Sequence, residues 1–484
     1  MRDSPVDLGQ AQNAAGAGPS TRITDSVLYQ HLWGTAESRA VFGEEGRLQG
    51  WLQVIVALAR AQAAAGVIPA RAAALIAEHA RADRIDLGYA AEQTRQTSHS
   101  TLGLIRALQA VLPGEARDHV YTGATVQDIT DTWTALAMRR IGGIVWRDLR
   151  RIEEQLLDLA VAHRSTVMAG RTHGQPGSPV TFGWKAASWA DEIRRHLDRM
   201  RGGSSRWLVG QLGGGVGSLV FYGEQGLAVR AGFCAELGLA DPGISWLTAR
   251  DRGAEFAQFL ALICGTFARI GGEVYELQRP EIGELAEASP GGTVGSITMP
   301  HKRNPEASEH LDTLARLVRA NAAVMVEAVA QQHERDARGW KAEWVALPEA
   351  CLLVTAALRV TISLLATAAL RMAVGLTAGL VVDAEAMRRN LARYGGYPVS
   401  ERALALLTPR LGARRAQDVL QQALGQGRAA GLTAEQALAR SALFDAAEAG
   451  ELAAAPDAGC CPQMTDLVIA RATAARAAEP AEWP

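Results

Sequence analysis

The sequence predicts an all-α protein built around a long central helical bundle, and three observations carry that prediction. Apolar residues recur at three- and four-residue spacing over 48–65, 126–163, 179–201, 255–284 and 306–332. Strict polar–apolar alternation is nearly absent, so strands should be rare. Several periodic stretches run past the about 8–20 residues of an ordinary globular helix, which points to an elongated bundle.

The chain has 484 residues, enough for two to three domains or for one long helical body with smaller caps. At 48% hydrophobic and 21% charged it has the composition of an ordinary globular protein. Lys and Arg number 49 against 51 Asp and Glu, a net charge of −2. That balance argues against nucleic acid or an anionic membrane as a partner. The five cysteines (Cys234, Cys264, Cys351, Cys460, Cys461) are odd in number and mostly scattered, which suits reduced thiols in a cytoplasm. No Cys or His grouping has a structural zinc spacing, so neither metal nor other cofactor is expected.

Residues 1–20 are polar and lack the apolar stretch of a secretory signal. The most apolar region, 345–382, is broken by Glu349, Arg359 and Arg371. Its uncharged runs of about 11 residues are too short to span a bilayer. It reads as a helix buried inside the bundle. The expected division is a flexible segment 1–24, a helical cap 25–115, the bundle 116–372, and shorter helices 373–484 that end in a loose Ala/Glu/Pro tail from about Ala475. Gly142-Gly143 falls inside a periodic stretch and predicts a bend or break there.

Five constellations could carry chemistry. Thr97-Ser98-His99-Ser100 precedes an apolar run from Leu102 and would serve equally as a helix cap. Tyr121-Thr122-Gly123-Ala124-Thr125-Val126-Gln127-Asp128 precedes a long helix. Its hydroxyls and free amides at a positive helix end would suit a carboxylate, although capping alone accounts for the composition. Gly170-Arg171-Thr172-His173-Gly174-Gln175-Pro176 marks a break between helices that exposes His173, a group whose charge changes near neutral pH. Gly295-Ser296-Ile297-Thr298-Met299-Pro300-His301-Lys302-Arg303-Asn304-Pro305 comes after Gly291 and Gly292. The glycines leave the backbone mobile before Ser296, and Pro300 and Pro305 stiffen the rest of the loop. Lys302 and Asn304, two apart, present a cation and an amide on one edge of an extended segment, a receptor for a carboxylate. Glu309 lies on the next helix, where a carboxylate could orient an imidazole or simply face solvent.

Gly-Ser-x-x-Met-Pro-x-Lys-x-Asn-Pro, matched at Gly295, Ser296, Met299, Pro300, Lys302, Asn304 and Pro305, resembles the signature of the aspartase/fumarase superfamily, lyases that mostly release fumarate. Ile297 stands where many relatives carry a second Ser, which leaves Ser296 as the one serine candidate. Gly170–Gln175 resembles the superfamily's second signature region. Gly123–Asp128 is similar to a motif of the 3-carboxymuconate cycloisomerases, and His99 to a His of the adenylosuccinate lyases. Both groups generally carry a His where this chain has Tyr121, a departure that puts both of their reactions in doubt.

The resemblance implies a three-domain fold with five long central helices that pack into a 20-helix tetramer core, each active site drawing on three chains. It implies Ser296 as the base, His173 or His99 assisting the leaving group, and Glu309 orienting His173. Ser98, Thr125, Gln127, Thr172, Lys302 and Asn304 would contact a small dicarboxylate. Within the branch, nitrosuccinate lyase is the leading expectation, because nitrite leaves as a stable anion. Adenylosuccinate lyase and then cycloisomerase come after it. A non-catalytic homologue is disfavoured by the intact Ser296, Lys302, Asn304 and His173.

Overall fold

The computed structural model of the chain describes residues 21–99, 101–288, 296–366, 379–454 and 457–483. Five long helices dominate it, the first to fifth bundle helices: Val126–Ala162, Phe182–Trp207, Asp251–Gln278, Glu306–Glu327 and Ala337–Leu365. The first, at 37 residues, is about 55 Å long at the standard helical rise. One continuous core runs from Val41 to Met387, so the cap helices 36–111 share their interior with the bundle. Residues 399–452 enclose a second, separate core of Ala, Leu, Val and Phe side chains. The expected boundary near 372 and residues 1–20 of the expected flexible segment 1–24 lie outside the described residues, whereas Ile23–Asp25 is a short 3-10 helix.

Three expectations are corrected by tertiary partners. The first bundle helix runs unbroken through Gly142-Gly143. Gly142 is a packing notch: a Cβ there would lie 2.6 Å from the indole nitrogen of Trp483. The chain end is docked, not loose. Helix Cys461–Ala478 packs along the second bundle helix. Beyond it, the buried Glu479 accepts from Arg194 at 2.6 Å, while Arg194 also holds Glu153 at 2.7 Å. Trp146 then donates to the carbonyl of Ala481. These partners lie hundreds of residues from the tail in sequence, so its solvated-looking composition could not reveal them.

The third correction concerns 170–176. Instead of a plain break it is the tip of an antiparallel hairpin, Val167–Thr172 paired with Gln175–Thr181. Thr172 faces Gln175, and the two turn residues His173 and Gly174 have φ of 52° and 71°. Two left-handed residues in a two-residue loop make the type I′ turn that matches strand twist. A second short pair, Leu285–Glu287 with Leu380–Val382, completes the strands among the described residues, so the strand content is as low as expected.

Two helices, Asp251–Gln278 and Ala337–Leu365, are long and apolar enough by composition to cross a membrane. About two-thirds of each apolar window is buried against the rest of the protein, the mark of core helices. In the fifth helix Glu349 and Arg359 also interrupt the apolar span.

Candidate active site

At the start of the first bundle helix, Asp128 is fully buried and acts as a hub. Its carboxylate accepts the backbone N–H groups of Thr125 (2.9 Å), Gly213 (2.9 Å) and Gly214 (3.0 Å), and the side-chain amide of Gln211 (3.3 Å). The segment Gln211–Ser218 is thus a tight packing turn, with Gly214 at φ 71°. Burial pushes the Asp128 carboxyl up to about 7, against the pull of those donors. Between about pH 4 and pH 7 the native state therefore keeps a proton that the unfolded chain has released. This group's contribution to stability is then fully present below about pH 4 and is lost as pH rises through about 7, amounting to ~4 kcal/mol. Denaturant unfolding of the wild type and Asp128→Asn across that window should show the difference. Parallel pH profiles would refute it.

Because Asp128 takes the amide of Thr125, the helix end is not the open anion receptor that the sequence suggested. A side-chain cluster lies beside it instead. Thr125 accepts from the guanidinium of Arg335 at 2.6 Å, and Arg335 lies over the Trp340 ring at 5.7 Å. The half-buried Tyr121 lies beside it, close to Arg335 and Asp128. Burial, followed by the nearby Asp128, holds that phenol above its ordinary value, so it is a neutral donor at physiological pH.

Gln127 does not join the cluster. It is fully buried and donates to the carbonyl of Leu247 at 2.6 Å, on the core side of the helix start. Arg335 is the residue that sequence reasoning missed. Its only local signal is the charged run His333-Glu334-Arg335-Asp336 between two apolar helices.

The hairpin supplies the second region. Arg171 is anchored away from the tip by a two-pronged pair with buried Glu284 (2.9 and 2.6 Å), which Asn390 also contacts. That anchor leaves Thr172 and His173 exposed at the tip. Glu309 is exposed on the first turn of the fourth bundle helix and makes no bond to His173 within the single chain. The pairing therefore requires another copy or does not form.

The third region is the signature loop. Ser296 Oγ accepts the N–H of Met299 at 3.0 Å, and Lys302 N–H bonds back to the Met299 carbonyl. An amide on the serine oxygen favours its ionised form. Glu287 fixes where the loop ends: it accepts the N–H groups of Ala307 (3.0 Å) and Ser308 (2.8 Å), capping the fourth helix. Lys302 is exposed, and Gly291, Gly292 and Gly295, expected to give the loop its mobility, lie outside the described residues.

His99 caps the helix that follows it. Its Nδ1 accepts the N–H of Leu102 at 3.2 Å, capping helix Leu102–Val111. The neutral ring then carries its proton on Nε2, a donor on an exposed side chain. Ser98 beside it adopts φ 52° and is exposed, whereas Ser100 lies outside the described residues. Within one chain no hydrogen bond among the described residues joins His99, Tyr121, His173 and Ser296 to one another.

A protein-family model described as "Lyase" matches residues 34–320. The chain is 39% identical over 401 residues to an N-acetyl-S-(2-succino)cysteine lyase of Dickeya dadantii, covering 83% of this chain and 86% of that protein. It is 35% identical over 416 residues to a nitrosuccinate lyase of Streptomyces davaonensis, covering 83% and 84%. Among solved structures, the 3-carboxy-cis,cis-muconate lactonizing enzyme of Pseudomonas putida superposes with a TM-score of 0.82 at 33% identity, covering 93% of this chain and 99% of that one.

Proposed function

Since this chain belongs to the aspartase/fumarase superfamily of lyases, we propose that it eliminates fumarate from a 2-substituted succinate whose substituent departs as a stable anion. The observation that carries the reading is the cluster Tyr121–Thr125–Arg335, where a neutral phenol and a guanidinium stand at the end of the first bundle helix. A guanidinium is a strong receptor for a carboxylate. A neutral phenol is a weak acid, adequate for a leaving group that needs no proton.

Ionised Ser296 takes the proton beside the substrate carboxylate. The C–H electron pair becomes the new C=C bond, and the C–X bond breaks with its pair on X. Charge that builds on the carboxylate as the proton leaves is held by Lys302, Asn304 and Arg335, and such preorganised donors act best where water is excluded. His173, oriented by Glu309 of another copy, assists on the leaving-group side. The leading substrate is nitrosuccinate, with nitrite as X.

A second reading, a succinyl thioether releasing a thiolate, is favoured by the 39% identity to the N-acetyl-S-(2-succino)cysteine lyase. Fumarate absorbance with nitrosuccinate, S-(2-succino)cysteine derivatives and adenylosuccinate separates these. Turnover of nitrosuccinate alone is expected. Turnover of adenylosuccinate alone would sink the stable-anion reading. Arg335→Gln should lower kcat/KM roughly a hundredfold on the true substrate. An unchanged value would remove Arg335 from the site.

The scattered regions are proposed to meet in a homotetramer. The third bundle helix leaves a face exposed along Gln258, Leu262, Arg269 and Gly272, with Gly265 half-buried among them, and Leu262 is 53% exposed. A Cβ at Gly265 or Gly272 meets nothing in the single chain, so a neighbouring helix can approach closely there. Leu262→Asp with Gly265→Trp should reduce the mass in light scattering and abolish turnover together. A variant that stays tetrameric would move the interface elsewhere.

A further inference from the structure

Behind the hairpin lies a cavity of about 520 Å³, between the strand residues Pro176 and Gly177 and the helices of the C-terminal core. Its lining contains two arginines, Arg393 and Arg428, and no carboxylate. Neither guanidinium forms an ion pair among the described residues. Both are exposed enough to swing toward the cavity.

The walls are suited to a flat body. Tyr394 is half-buried, with no hydrogen bond on its hydroxyl among the described residues. Tyr397 is fixed by donating to the carbonyl of Leu432 at 3.0 Å, and Leu424 adds an apolar surface. Gly395 and Gly431, at φ 58° and 70°, let the backbone line the cavity without side chains. Two cations, a spare phenol and apolar walls in a volume of this size are the ordinary make-up of a site for a small organic anion.

We propose that this cavity binds an organic anion carrying one carboxylate or phosphate group on an apolar or aromatic body, and that its occupancy braces the His173 hairpin. The anionic group sits between Arg393 and Arg428, with the body against Tyr394 and Leu424. The link to the hairpin is direct. Pro176 lies on the wall and pairs across the hairpin with Arg171, which is tied to Glu284, and Gln175 beside it faces Thr172. Ser178 is already bonded to Glu401 of the C-terminal core, so an occupant adds a second brace to an existing one. This site is independent of the fumarate-forming reading, since its test needs no turnover.

The test is calorimetric titration of the full-length protein with phenyl phosphate, with inorganic phosphate and benzoate as comparison probes. Wild type is expected to bind phenyl phosphate saturably with Kd below about 1 mM. Arg393→Ser with Arg428→Ser should weaken binding at least tenfold, and Arg428→Glu alone should do the same. Arg414→Ser with Arg415→Ser, exposed arginines outside the lining, should bind as wild type does. Inorganic phosphate should bind at least tenfold more weakly than phenyl phosphate, and benzoate should compete with it.

Amide exchange across 167–181 should slow with phenyl phosphate in wild type and not in the double variant. No saturable binding to wild type, or undiminished binding to the Arg393/Arg428 variants, would overturn the site. The latter outcome would place the ligand in the substrate cluster instead. Saturable binding without slower hairpin exchange would overturn the brace.

Discussion

Ser296→Ala is expected to lower kcat by about 10³-fold or more while fold and assembly stay intact, because the base is lost and almost nothing else. Among the described residues the serine oxygen does one structural job, accepting the Met299 N–H in a partly exposed turn. Losing such a bond costs at most about 1 kcal/mol. Turnover and stability should therefore separate cleanly. Rate measurement together with light scattering and a denaturation midpoint checks this. Lys302→Met is the informative companion, since it should lower kcat while leaving the serine in place. A Ser296→Ala protein that still eliminates at the wild-type rate would exclude serine as the proton acceptor.

Arg250→Met is expected to destabilise the protein by about 3–5 kcal/mol, the largest stability effect of any single side chain considered. Arg250 is 4% exposed and lies between two buried carboxylates. It contacts Asp131 at 2.6 and 3.0 Å and Glu343 at 2.8 Å, while Trp340 donates to Asp131 at 3.0 Å. Removing the cation leaves two carboxylates buried without compensation.

Burial already pushes the Glu343 carboxyl up, so the variant should relieve itself by taking up protons. Its deficit should shrink as pH falls, because protonation is favoured in its folded state. Arg250→Lys should recover only part of the loss, as an ammonium cannot satisfy both partners with a planar fork. The same cluster joins the first bundle helix to the start of the fifth, which places Arg335 against Thr125. Activity should consequently fall even where the variant remains folded. A denaturation free energy within about 1 kcal/mol of wild type would show that the pair is worth far less.

Much of the fold was legible because helical periodicity is a local property. The long stretches at 126–163, 255–284 and 306–332 each became a bundle helix, with ends within a few residues of the pattern's limits. The hairpin at 167–181 was not legible, since Gly170, Pro176 and Gly177 read as punctuation and its strands do not alternate. At the candidate site, the residue types around Ser296 and Lys302 carried their chemistry in plain view. Thr125 and Gln127 carried less, being two residues apart on a helix start where one side chain faces Arg335 and the other the core. Nothing near Arg250 in the sequence marks it as the centre of two carboxylates 119 and 93 residues away.

By itself the sequence determined the helical class, the superfamily and the identities of the reactive groups, because each rests on short-range spacing or on a contiguous motif. Tertiary structure decided which of those groups are available. Asp128 became a buried hub through glycines about 85 residues away. The chain end was pinned by an arginine 285 residues distant. Arg335 entered the site through a threonine 210 residues upstream. Partnerships over such separations depend on how helices cross, which local patterns do not encode.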